Sequence, residues 1–140
     1  MLKTEALRGP GGHVVLMDSI TQVDASDAGA FVVSGSHGGT SSGEFALAVP
    51  LGLTVFNDAG IGKGEAGIAA LAMLQARGMP GCTVAHTSAR IGEARDTWEH
   101  GVISRVNAAA QALGLREGLA LRGALERLVG IGAGVPGIPP

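Results

Sequence analysis

Residues 31–44 read FVVSGSHGGTSSGE. Phe31, Val32 and Val33 form an apolar run that stops at a glycine cluster, the pattern of a buried strand entering a turn. Ser41 and Glu44 stand three apart, the spacing of a capping box, so a helix is predicted to start at once. Strand, glycine loop and helix start together aim backbone N–H groups and a helix dipole at one point, an arrangement suited to an anion.

The same grammar extends along the chain. Apolar runs predict strands at 14–17, 31–34, 53–56 and 82–85. Ser19 and Gln22 have capping spacing, and Gly29 can stop a short helix or turn over 19–29. Helices are predicted at 42–49, closed by Pro50, and at 65–77, closed by Gly78 and Pro80. The centre of the second, IAALAML, is apolar nearly all round, which predicts burial by the sheet and by another subunit. Asp96 and Glu99 have cap and capping-box spacing. Trp98, Val102, Val106, Ala109 and Leu113 then recur at helical spacing, predicting one long helix over 96–113. A last helix is predicted over 117–129.

Alternating strands and helices imply a parallel sheet covered on both faces. The expectation is a single three-layer α/β domain over 13–129. Its sheet is four-stranded and mainly parallel, Rossmann-like or flavodoxin-like. Residues 1–12 form an N-terminal arm, and 130–140 form a tail too rich in Gly and Pro for regular structure.

Composition narrows the function classes. The chain has 140 residues, 10 basic against 12 acidic, with one Trp, three Phe and no Tyr. Neither a basic nucleic-acid surface nor a base-stacking platform is expected from that balance. A single cysteine, Cys82, excludes an internal disulfide and fits a reducing, cytoplasmic compartment. No leader is expected in the first residues, and the apolar region 45–56 is too short to span a bilayer. With 46% apolar residues, self-association into a homo-oligomer is expected.

In parallel sheets, ligands bind beyond the carboxyl ends of the strands. Here those ends carry Asp18, then Ser36, His37, Gly38 and Gly39, then Asn57, Asp58 and Gly60, then His86, Ser88 and Arg90. The strand starts are poorer in chemistry. The expected reading is an enzyme acting on a small carboxylated or phosphorylated metabolite. The N–H groups of Gly38, Gly39, Gly60 and Gly62, with Lys63 or Arg90, hold the anion. His37 or His86 moves the proton, with Asp58 or Asp18 as orienting group or partner base. The alternative is a non-catalytic ligand-binding or regulatory subunit using the same loops.

Named motifs add little. Residues 62–67 fit G-x-G-x-x-G, but the strand ends earlier and no acidic residue follows the next strand, so no dinucleotide cofactor is expected. Residues 39–43 fit G-x-S-x-G without the sharp strand-to-helix elbow, so Ser41 reads as a helix cap. No histidine pair has local metal-ligand spacing, and no metal is assigned.

Overall fold

The computed structural model describes residues 1–130. It is an α/β fold with one mixed sheet of six strands, β1 (Lys3–Gly9), β2 (Gly12–Met17), β3 (Phe31–His37), β4 (Leu53–Asn57), β5 (Gly81–Val84) and β6 (Ile103–Val106). They lie side by side in sequence order. The four expected strands are β2 to β5, and they are mutually parallel. Two antiparallel edges were not expected: β1 pairs with β2, and β6 with β5. The four-stranded expectation is therefore corrected to six. The sequential order also differs from both the Rossmann and the flavodoxin order.

Among the described residues five α-helices accompany the sheet: α1 (Thr40–Leu47), α2 (Ala69–Gln75), α3 (Ala94–His100), α4 (Ala108–Ala112) and α5 (Leu121–Val129). Moving stepwise in one direction with a constant crossover hand puts successive helices on one face. Accordingly Val15, Met17, Val32 and Phe56 pack with Ala46, Ala70 and Leu74 of α1 and α2. The alternate residues Val14, Leu16, Val33, Val55 and Val84 pack on the other face with Trp98, Leu121 and Leu125 of α3 and α5. Side chains alternate across a strand, so the one sheet has two separate apolar faces and the domain has three layers.

The expected arm is the edge strand β1. Lys3, Glu5 and Arg8 are exposed along it, and the register shifts between Glu5 and Leu7. Charge and a bulge are the usual protections of a sheet edge. The expected long helix at 96–113 is three elements. Gly101 leaves the helix with φ −60° and ψ 138°, and β6 follows. A Cβ at Gly101 would lie 2.5 Å from the Thr97 carbonyl and 2.8 Å from Val84 Cγ1, so the close approach of α3 to β5 needs a glycine there.

Caps also differ from expectation. The Ser19–Gln22 box is present at a 3₁₀ turn, Ile20–Gln22, and a second 3₁₀ turn occupies Ala25–Asp27. The N-cap of α1, however, is Gly39 with no side-chain bond, and that of α3 is Glu93. Ser41 and Asp96 thus sit inside their helices. The expected tail falls almost wholly outside the described residues.

Candidate functional site

Parallel pairing places the carboxyl ends of β2 to β5 along one edge. His37 is registered beside Asn57, and Asn57 beside Val84. His37, Asp58 and His86 therefore leave three neighbouring strands at the same rim.

Much of the polar chemistry there holds loops. The chain from β5 to α3 runs back across the rim. Asn57 Nδ2 donates to the Ala89 carbonyl at 3.0 Å, the Gly92 amide to the Gly35 carbonyl at 2.7 Å, and the Ala94 amide to Asp18 Oδ1 at 2.9 Å. Asp18 Oδ2 also accepts from the Leu2 amide. Asn57 is fully buried, and its Oδ1 takes the Ala59 amide. Ser36 Oγ accepts from the Ile20 amide. Ser88 Oγ donates to the Ala85 carbonyl and accepts from the Val102 amide. Asp18, Asn57, Ser36 and Ser88 thus shape the edge, with their polar atoms already engaged.

The glycine amides are engaged as well. Gly38 N donates to the Asn57 carbonyl, Gly39 N to His37 Nδ1, Gly60 N to Asp58 Oδ1, and Gly62 N to the Gly60 carbonyl. The four donors expected to meet an anion are paired within the chain. Lys63 is exposed and lines neither cleft described below, and Arg90 lies beyond β5 with His86.

Two depressions flank the turn at 59–62. One is a cleft of about 470 Å³. His37, Thr40 and Ser41 line it from the β3–α1 side, and Ala59, Ile61 and Ala66 from the β4–α2 side. An amide can only donate, so the Gly39 bond of 3.0 Å fixes His37 Nδ1 as acceptor. The neutral ring then carries its hydrogen on Nε2. The first turn of α1 opens on this cleft without a side-chain cap, leaving the N–H groups of a helix start.

On the other side stands the pair Asp58 and His86. Asp58 is buried, 4% exposed. Burial alone would raise its pKa. The Gly60 amide, the Ser104 hydroxyl, and the amide and ring of His86 outweigh it and hold the carboxyl below its usual range. An ionised carboxylate only accepts, so His86 Nδ1, 3.3 Å from Asp58 Oδ1, carries the hydrogen. The His86 side chain is 55% exposed, and among the described residues its Nε2 has no hydrogen-bond partner. The two rim histidines therefore present opposite tautomers.

Neither described cleft is lined by both histidines. The intervening turn has positive φ at Ala59 (51°), Gly60 (78°), Ile61 (67°) and Gly62 (74°). For a β-branched residue such as Ile61 this is a rare conformation. It turns Ile61 toward the His37 cleft while a Cβ at Gly60 would face the His86 ring at 3.6 Å. Thr40, Ser41, Ile61 and Thr87 line the clefts although the sequence patterns do not single out three of them and make Ser41 only a cap. The one available signal was position, just beyond the strand ends.

Cys82 is buried, and burial pushes its thiol up to about 12, so it is not a ready nucleophile. Among the described residues no group of three or more His, Cys, Asp or Glu side chains is placed to hold a metal ion, and no helix is long and apolar enough to cross a membrane. No family model, curated protein or solved structure matches the chain.

Proposed function

We propose that the chain is a small-molecule enzyme that binds an anionic, oxygen-rich metabolite, carboxylated or phosphorylated, in the His37 cleft at the carboxyl edge of the sheet. The observation that carries this reading is the lining. His37 offers Nε2–H, Thr40 and Ser41 offer hydroxyls, α1 offers its positive end, and among the described residues no carboxylate lines the cleft. Such a set complements ligand oxygens. The apolar walls from Ala59, Ile61 and Ala66 strengthen each hydrogen bond by lowering the local dielectric. His37 Nε2–H then stabilises the negative charge that develops on a ligand oxygen through a hydrogen bond and keeps its proton, since the neutral ring is a far weaker acid than an imidazolium.

A second reading, a non-catalytic binding module, is favoured by one observation: among the described residues no carboxylate or second imidazole lines the cleft with His37. A thermal-shift screen with carboxylates and phosphates, followed by NMR of the hits for consumption, separates the two. The enzyme reading expects a hit that is consumed, with consumption falling on the order of 100-fold or more in His37→Asn. A hit that survives incubation supports the binding module. If no anion raises the melting temperature, both readings fail.

Exposed Phe45, Ile91 and Leu113 support self-association, which gel filtration tests. A single buried cysteine supports a reducing, cytoplasmic location.

A further inference from the structure

The second depression has different chemistry. It is a hollow of about 300 Å³ lined by His86, Thr87, Ser88, Ala89, Arg90 and Asp96. We propose that His86 accepts a phosphoryl group at Nε2 from an acyl phosphate. This site is independent of the His37 cleft.

Three observations converge on it. Asp58 is buried beneath the ring, holds the hydrogen on Nδ1, and leaves the Nε2 lone pair as the attacking atom. The same carboxylate stabilises the cationic ring that forms on attack, as a buried carboxylate does beside any catalytic imidazole. Arg90 and Thr87 line the hollow, and a guanidinium and a hydroxyl suit the oxygens of a phosphoryl group in transfer. Of the amides along the hollow, that of His86 goes to Asp58, that of Ser88 to Ala85, and that of Arg90 to Asp96.

The other charged groups at the hollow are Asp96 and its partner His100. Asp96 Oδ2 accepts from the Arg90 amide and Oδ1 meets His100 Nδ1 at 2.9 Å, so its charge is partly offset. In the transfer, Nε2 forms a bond to phosphorus and the P–O bond to the acyl group breaks. The carboxylate leaves with that electron pair. The Nδ1 hydrogen stays where it was, shared with Asp58.

His100 supplies an internal control, since it also faces a carboxylate but on an exposed helix turn, with its side chain 66% exposed. The intact protein is incubated with acetyl phosphate, and phosphohistidine is read by ³¹P NMR and by peptide mapping at neutral pH. We expect His86 to be labelled at least tenfold faster than His13, His37 or His100. Asp58→Asn should slow labelling at least tenfold and release the tautomer, visible in the ¹⁵N shifts of His86. Arg90→Gln should slow it severalfold without changing the tautomer. Labelling of His100 at an equal rate, a native rate in Asp58→Asn, or no label at all would overturn the proposal. If Asp58→Asn does not fold, Arg90→Gln and the ranking of the four histidines decide it.

Discussion

The Ala94 amide donates to Oδ1 of Asp18 at 2.9 Å across 76 positions of sequence. The other oxygen takes the Leu2 amide, so one carboxylate ties the edge strand, the end of β2 and the start of α3. Asp18→Ala is expected to destabilise the fold by about 2 kcal/mol, the scale of charge-assisted hydrogen bonds. Asp18→Asn, which keeps an acceptor, should cost less. Urea midpoints of the two variants check this order.

Acid should weaken the protein through the same group and its peers. Amides of Ala94 and Leu2 hold Asp18 low. Despite burial, the Gly60 amide and other donors hold Asp58 low. The Ser26 hydroxyl, then Lys3, bring Asp24 to about 2. Folded-state values below the unfolded ones mean that unfolding takes up protons. That stability is fully present above the ordinary carboxylate range, about 4. It is lost as pH falls through the folded values. Urea midpoints should therefore fall from pH 5 toward pH 2, with a shallower slope in Asp18→Asn.

Glycine substitutions should split by position. At Gly35 a Cβ would lie 2.6 Å from Asp18 O, Glu93 N and Gly92 C, all backbone atoms, so Gly35→Ala must displace the loop that crosses the rim. A loss of several kcal/mol is expected, on the order of an overpacked core site or more. Gly123, inside α5, meets nothing within 4 Å. Gly123→Ala should raise stability by about 0.5–1 kcal/mol. Thermal melts of both variants give the comparison.

Asn107 uses both ends of its amide. Its Oδ1 accepts from the Gly81 and Ala110 amides, and its Nδ2 donates to the Leu71 and Met79 carbonyls. Asn107→Leu leaves several of these buried groups unpaired, at roughly 1–3 kcal/mol each. We expect a strongly destabilised protein by denaturant titration.

The interior strands were legible because both faces of β2 to β5 are buried, which writes runs such as Val14–Val15–Leu16–Met17 in apolar letters. The edges were not. β1 carries Lys3, Glu5 and Arg8, and β6 falls where Trp98, Val102 and Val106 happen to keep helical spacing; Gly101 was the interrupting signal. At the rim, Asp58 meets the His86 ring, where the sequence left open which of the two histidines stands with Asp58 or Asp18. The glycine amides looked like free donors because no pattern shows that the Asn57 carbonyl takes Gly38, the His37 ring Gly39, an Asx turn at Asp58 Gly60, and the Gly60 carbonyl Gly62. Tertiary contacts made by the β5–α3 loop decided the roles of Asp18, Asn57 and Ser88.

Because every strand pairs with its neighbour in sequence and the first helices all lie on one face, assembly can follow the order of synthesis. Once β5 has left the ribosome, the layer of α1 and α2 has every strand it covers. The opposite face of the sheet must then wait, uncovered, until α3 and α5 emerge. A nascent chain that has emerged only to about residue 90 would expose Val14, Leu16, Val33 and Val55 together. Such a half-clad intermediate is the species in which chaperone capture and co-translational aggregation would compete.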